Sequence, residues 1–399
     1  MKPILKFSFR QFVEARKSRK TGFKVQSLED FLKSELHEAR IPLSLLPVED
    51  PEVGSDLAPT PNSRMLGANT RIVPPEEMQS YLGRVKDKEL EKPERYKMPY
   101  VHNGNITVVG EGGQRFDLDA LRSQIMKRPE KLLKQNEKLE HSGGNSVQFY
   151  NLGLPALKGL AVDEQTNEFI VVDTCPGAGA CKVYCYARKG GYIQWKDSSM
   201  SQTRLLNFLL NDPSGFKSKL STELSAAHIK SVRGGYDVAI RWHDAGDFFS
   251  QDYWELAKSL ALEFPDIKFY AYTKMGDIAT GEKPSNFIIN FSGGAKATEE
   301  KKVNFRVTKN SRVVPREIFK GFVAREDGRK GKLMYTDLDG LKSKLAKLYK
   351  VTKKSIISYQ ELQHVKEEDL PQWNVIVKPG DGDDSAYRPD VIGTYLLEH

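Results

Sequence analysis

From Asn145 onward, short apolar runs alternate with stretches of helical spacing, and this alternation constrains the fold more than any other feature of the chain. Strands are predicted at Glu168–Asp173, Tyr236–Trp242, Ile267–Tyr272, Phe287–Phe291, Val303–Val307 and Trp373–Lys378, the last taken as the final strand. Helices are predicted at Thr203–Leu210, Gly215–Lys230 and Tyr253–Leu260, and Leu341, Leu345 and Leu348 share one helix face. Strands separated by helices build parallel βαβ units. The expected core, residues 145–399, is therefore α/β: a complete or partial parallel β/α barrel, with an open doubly wound sheet as the alternative. In both, functional side chains gather at the carboxyl ends of the strands.

The chain before this core reads differently. Residues 1–110 are expected to form an irregular, Pro-rich N-terminal extension, an arm with a short basic helix at Ser8–Arg19. Pro47, Pro51, Pro59, Pro61, Pro74 and Pro75 remove backbone donors and favour extended chain. Residues 111–144 are a helical linker: a helix over Asp117–Lys138, kinked or split at Pro129, and then the turn-forming His141-Ser-Gly-Gly-Asn145.

All three cysteines fall within eleven residues, directly after a predicted strand: Cys175-Pro-Gly-Ala-Gly-Ala-Cys181-Lys-Val-Tyr-Cys185. Three thiols cannot pair without a remainder, so a disulfide framework is excluded, and a reducing cytoplasm suits them. Gly177 and Gly179 permit the tight backbone path that convergent thiolates need. The cluster reads as metal ligands, with buried inert thiols as the plain alternative. A [4Fe-4S] cluster on three cysteines leaves one iron open to a small-molecule cofactor. Zinc needs a fourth ligand, which His243 or His228 could supply. The intervals of five and three residues lack the two-residue spacing common at zinc sites.

A second cluster stands at the end of the next predicted strand: Arg241-Trp-His-Asp-Ala-Gly-Asp-Phe-Phe-Ser250. Pleating predicts Arg241 and His243 on one face and Trp242 on the other. Asp247, His243 and Asp244 are the candidate catalytic groups, as base or nucleophile. The structural alternatives are a helix cap for Asp247 and a hydrogen-bonded core histidine for His243. Asp381, Asp383 and Asp384 follow the last predicted strand without completing an EF-hand, and read as a solvated acidic turn with divalent-ion binding as the alternative. Gly293-Gly294 after the Phe287 strand would allow close approach of a phosphate or a cofactor. Arg388 and Asp383 are possible substrate contacts if a barrel closes.

Charge adds a partner class. The 399 residues carry 61 Lys+Arg against 53 Asp+Glu, a formal net charge of +8. Residues 296–332 alone hold twelve Lys/Arg and five Asp/Glu, interleaved with Phe305, Phe319 and Phe322. Lys301, Lys302, Arg306, Arg312 and Arg316 are candidate phosphate contacts for DNA or RNA, against the plain reading of a solvated basic surface. No apolar run approaches the ~20 residues of a membrane span, and Met1–Arg10 has no signal-peptide pattern, so a cytoplasmic, non-membrane protein is expected. Walker A, dinucleotide-binding, Gly-x-Ser-x-Gly and zinc-deaminase patterns are missing.

Ser142-Gly-Gly-Asn-Ser146, the Cys175–Ala187 run, Arg241–Ser250 and Phe269-Tyr-Ala-Tyr-Thr-Lys274, in that order, resemble the phage gene product 88 family, known from mycobacteriophages and related mobile elements. The resemblance spans about Ser142 to Lys274 and implies no settled activity. More distantly, cysteines at a strand end followed by Tyr186-Ala187 are similar to radical S-adenosylmethionine enzymes, whose usual intervals are three and two residues. That likeness implies that Gly246 and Asp247 contact the cofactor's amino group, with Tyr186 and Lys274 completing the cofactor set. The expected function is a phage-type, nucleic-acid-modifying metalloenzyme, with DNA bases as the first-choice substrate, and an iron–sulfur, radical-SAM-like core. The alternatives are a DNA guanine transglycosylase with structural zinc and a non-catalytic, zinc-stabilised DNA-binding or host-takeover protein.

Overall fold

The computed structural model describes residues 65–74, 100–102, 105–107, 118–135, 146–185, 187, 196–326, 333–368, 370–382 and 384–398. The strands that frame the site are β1 (Thr70–Ile72), β2 (Val147–Asn151), β3 (Lys158–Asp163), β4 (Glu168–Asp173), β5 (Asp237–Trp242), β6 (Lys268–Thr273), β7 (Phe287–Ser292), β8 (Asn310–Val314), β9 (Ile356–Ser358), β10 (Trp373–Val377) and β11 (Val391–Leu397). The main helices are α1 (Leu118–Met126), α2 (Lys196–Asn211), α3 (Pro213–Gly234), α4 (Gln251–Glu263) and α5 (Leu338–Tyr349). The proposed Ser8–Arg19 helix lies outside the described residues.

The core is an eight-stranded sheet of order β9-β10-β11-β8-β7-β6-β5-β2, and every neighbouring pair in it is parallel. Strands β2, β5, β6, β7 and β8 lie side by side in chain order. The chain then passes over two places to β9 at the far edge and returns through β10 to β11, beside β8. The winding therefore reverses, and no pairing joins β2 to β9 among the described residues. The parallel α/β expectation holds, and the strand order follows the open, reversing alternative.

Both faces are covered, as a parallel sheet requires. One face packs Val238, Ile240, Trp242, Phe269, Phe287, Ile289 and Phe291 against α3 and α4, and continues into Tyr395 and Leu397 under α5. The other packs Phe149, Ala239 and Tyr270 against Ala386 and Tyr387 of the β10–β11 connection. Local chemistry sets the helix limits. Asp212 accepts Gly215 N–H ahead of Pro213, and Gly235 ends α3 at φ 68°. Among the described residues no helix is long and apolar enough to cross a membrane.

Five sequence readings are revised. The helix expected over Asp117–Lys138 ends at Met126, ahead of Pro129, and residues 127–135 are not helical: Leu132 and Leu133 N–H donate to the Glu223 carboxylate and Lys134 bridges to Asn151. The strand leading into the cysteines is not part of the parallel sheet: β4 lies antiparallel between β1 and β3 in a separate three-stranded sheet. That sheet packs on α1 and α2 through Leu160, Val162, Phe169 and Val171. Residues 70–72, read as part of the irregular N-terminal arm, supply its third strand, and Met65 and Ala68 beside them are buried in the main core. Val303–Val307 is a turn, not a strand: Asn304 accepts the N–H groups of Arg306, Val307 and Thr308, and Val307 is 73% exposed. Finally, Trp373–Val377 is followed by one more strand, β11, which inserts beside β8.

Candidate functional site

The segment after β4 folds over the carboxyl ends of β6 and β7. Asp173 Oδ1 accepts Cys175 N–H at 3.1 Å, and Thr174 Oγ1 donates to Pro155 O at 2.6 Å. Ala178 bridges to Ala295, Gly294 O accepts the N–H groups of both Gly179 and Cys181, and Lys296 N–H donates to Gly177 O at 2.9 Å. The two glycines are required by proximity. A Cβ on Gly177 would lie 2.5 Å from Lys274 O, and one on Gly179 would collide with Ala295 O. Main chain rests directly on main chain, so the loop is fixed against the strand ends.

Cys175, Cys181 and Cys185 are all half-buried free thiols. Cys175 Sγ accepts Leu157 N–H at 3.3 Å. Burial pushes its pKa well above the usual thiol range, and nearby Asp247, Cys181 and Asp173 add to the rise. Cys181 opens the short helix Cys181–Tyr184. Cys185 packs on Ala156, Ala187 and Ala245. Among the described residues no three His, Cys, Asp or Glu side chains are grouped so as to hold a metal ion. Tyr186 lies outside the described residues.

Asp247 is the hub beneath this loop. It is buried, its N–H donates to Thr174 O at 2.9 Å, and its carboxylate accepts three donors at 2.7 Å: Phe248 N–H, Thr273 Oγ1 and Lys274 N–H. Desolvation raises its pKa to about 6 against the pull of those hydrogen bonds. It does not cap α4; Ser250 does, accepting Tyr253 N–H at 3.2 Å. Lys274 turns its ammonium to Ser292 Oγ at 2.7 Å and to the carbonyls of Ser292 and Gly293. Glu300 Oε1 accepts Gly294 N–H at 3.0 Å.

His243 departs from the pleat that the sequence predicts. Its backbone is left-handed, φ 72°, which swings the ring to the same side as Trp242. Trp242 Nε1 and His243 Nε2 both meet the hydroxyl of Tyr253, at 3.1 and 2.9 Å. The ring lies edge-on to Phe248, and burial lowers its pKa to about 3. It is a neutral core histidine. Asp244 occupies the turn beside Gly153, and its N–H donates to Leu152 O at 2.9 Å. Gly246 sits at φ 83°, and a Cβ there would lie 2.5 Å from Leu154 Cβ, so this glycine is closed by protein on that side. His228 is far from the cysteines in the fold, on α3 near Asp266 before β6, with Nε2 to Oδ2 at 3.9 Å.

The basic segment is divided rather than continuous. Lys301, Arg306 and Arg316 are exposed. Lys302 is also exposed but is paired with Asp277 at 2.6 Å and Glu299 at 3.0 Å. Arg312 is sandwiched between Phe305 and Tyr349, 4.2 and 4.7 Å from the ring centres. Neighbouring Lys309 is spent on the carbonyls of Arg388 and Val391. At the C-terminal turn, Asp381 accepts Lys378 N–H at 2.8 Å and Arg388 is locked to Asp390 at 2.7 Å, so both have structural partners. Asp383 lies outside the described residues.

Sequence reasoning missed Thr273, Ser292 and Glu300, which tie Asp247, Lys274 and the Gly293-Gly294 turn together. Thr273 and Ser292 signalled themselves only as residues at strand ends, and Glu300, at the end of the short helix Ala297–Glu300, gave no local signal.

The fold and site define a class: a parallel α/β protein with a three-cysteine loop clamped over the carboxyl ends of its sheet. The family model for gene product 88 matches residues 127–345, more than half of the chain, and the chain belongs to the gene product 88 family. No curated protein and no solved structure matches it.

Proposed function

We propose that this chain is a phage-type metalloenzyme that modifies nucleic acid, with DNA bases as its substrate and an iron–sulfur cluster held by Cys175, Cys181 and Cys185. The observation that carries the reading is the clamp of the cysteine loop onto β6 and β7 through Gly177, Gly179 and Gly294, at the sheet edge where α/β proteins place their chemistry. A loop that serves only as a connection needs neither three thiols nor main-chain contact with two strand ends.

The type of donor suits a cluster better than zinc, but among the described residues the three thiols are not grouped around a common point, so binding a cluster would require the loop to draw them together. Three thiols lie on one short loop, and one of them already accepts an N–H at sulfur. Of the two histidines considered as a fourth zinc ligand, His228 stands near Asp266 before β6, and His243 meets Tyr253 through Nε2 while its buried Nδ1 has no partner among the described residues. Three thiolates on a four-iron cluster leave one iron to take a small molecule, and the order of motifs suggests S-adenosylmethionine. Asp247, fully used by three donors, is a positioning residue that sets the Lys274 turn against the loop. The same burial argues against Asp247 as a transglycosylase nucleophile. Lys301, Arg306 and Arg316 remain open to nucleic-acid phosphates.

The test is cleavage of S-adenosylmethionine by anaerobically purified, chemically reduced protein beside a Cys181→Ala variant. Cleavage by the wild type and none by the variant is the expected result. A colourless, zinc-loaded wild type without cleavage overturns the reading in favour of a structural metal in a binding protein.

A further inference from the structure

Helix α5 has one face in the core and the other in solvent. Leu341 and Leu345 are fully buried with Tyr395 and Leu397, whereas Lys344, Lys347 and Lys350 are exposed. Residues 338–354 hold six lysines and one acidic residue, Asp339. Two of the six are neutralised: Lys342 pairs with Glu361 at 2.8 Å and Lys353 with Asp339 at 2.6 Å. Lys344, Lys347, Lys350 and Lys354 have no acidic partner among the described residues. Ile318 and Phe319 share the core of Leu341 and Leu345, and their short helix, Arg316–Phe319, brings exposed Arg316 and Lys320 beside α5, with Glu317 between them.

Local helix chemistry accounts for part of this stripe. Cations suit the carboxyl end of a helix, which covers Lys347 and Lys350. Lys344 lies ahead of the last turn, and Lys354 lies beyond the helix. Lys350 closes α5 at φ 56°, a left-handed position that glycine ordinarily takes. Like charges three residues apart on a helix repel, and a polyanion laid along them removes that cost. Lys344 to Lys350 spans about 9 Å of helix axis, a length over which duplex DNA carries about five charges.

The absence of apolar exposure selects the partner. No large apolar side chain of α5 is exposed. A helix that lies on a membrane inserts an apolar face, a single-strand site stacks bases on aromatic rings, and protein interfaces are poor in lysine. A duplex backbone is held by charge alone.

We propose that α5 and the turn after it form a docking surface for the phosphate backbone of duplex DNA, held through Lys344, Lys347, Lys350 and Lys354 without reading sequence. The proposal rests on the reading above only in taking nucleic acid as the partner, and it is independent of the cluster.

The experiment is fluorescence anisotropy of a labelled DNA duplex over a salt series with the full chain, beside Lys344→Gln/Lys347→Gln and a control pair, Lys230→Gln/Arg233→Gln, which removes the same charge from exposed positions on α3. The α5 pair is expected to weaken duplex binding about tenfold and to lower the salt slope by about 1.8, two phosphates at about 0.9 each, with Tm unchanged. The control pair is expected to bind as the wild type does. Failure of the wild type to bind duplex overturns the proposal, and so do equal losses in the two pairs, which would make the effect one of net charge. Tighter binding of the single strand or of phosphatidylserine vesicles, weakened by the α5 pair, gives the stripe another partner and overturns it too. Duplex binding that persists in Cys181→Ala, beside a wild type that does not cleave S-adenosylmethionine, overturns the cluster chemistry and sustains the docking surface. Cleavage by a wild type that ignores duplex does the reverse.

Discussion

A carboxylate oxygen of Asp247 accepts the main-chain N–H of Lys274 at 2.7 Å, hooking the turn after β5 to the end of β6. Thr273 Oγ1 and Phe248 N–H complete the hook, and the N–H of Asp247 itself reaches Thr174, one residue before the first cysteine. One buried residue thus connects two strand ends through its carboxylate and the cysteine loop through its main-chain N–H.

Removing that carboxylate strands three donors. Asp247→Ala is expected to lower stability by about 3 kcal/mol, and Thr273→Val, which removes one donor, by about 1 kcal/mol. Urea unfolding measures both. A loss below about 1 kcal/mol for Asp247→Ala contradicts the hub.

Two buried groups give opposite pH dependences. The folded-state pKa of Asp247 is raised to about 6 by desolvation, so the folded state holds the proton more tightly than the unfolded state. Its contribution is fully present below about pH 4 and is lost as pH rises through 6, a span of about 3 kcal/mol. His243 is lowered to about 3, so its contribution is present above about pH 6.5 and is lost as pH falls toward 3. The stability deficit of Asp247→Asn relative to wild type is therefore expected to grow between pH 7 and 4.5, and that of His243→Gln to shrink. Parallel unfolding curves at both pH values test the signs, and reversed trends contradict them.

The loop clamp depends on absent Cβ atoms. Gly177→Ala places a carbon 2.5 Å from Lys274 O, so the backbone must part and the thiols become accessible. Reaction of the three cysteines with a thiol reagent is expected to accelerate about tenfold, by RT ln 10 of local opening. Gly321→Ala, where nothing lies within 4 Å of the added carbon, is the control and is expected to leave the rate unchanged.

The basic segment separates by role. Alanine at Lys301, Arg306 or Arg316 is expected to leave stability within about 0.5 kcal/mol and to reduce the salt slope of DNA binding by about 0.9 for each phosphate no longer neutralised. Arg312→Ala is expected to cost about 1–2 kcal/mol of stability through its two aromatic neighbours. Fluorescence anisotropy over a salt series, with unfolding curves, checks both. Equal effects of all four on DNA affinity contradict the division.

Much of this was legible from residue patterns, because β5, β6, β7 and β10 are apolar runs that a parallel sheet buries on both faces. Strand β11 was missed because Gly393 interrupts its apolar run. The gap exists for the Asn374 side chain, which fills the space a Cβ there would take and accepts the Tyr395 hydroxyl at 3.0 Å. The placement of β4 in a second sheet depends on long-range pairing with β1, which no local pattern encodes. At the site, the cysteines and Asp247 were visible as unusual clusters after strands. The role of Asp247 was not, because it comes from donors at the end of β6 and just past it, 26 and 27 residues away. His243 was misdirected by strand alternation, which its positive φ breaks.

The most direct measurement is metal analysis with an absorption spectrum on anaerobically purified protein, beside Cys175→Ala, Cys181→Ala and Cys185→Ala. About four irons per chain and a broad visible band, lost in each variant, is the expected result. A colourless protein carrying one zinc, or metal content unchanged by all three substitutions, would contradict the assignment of these cysteines to a cluster.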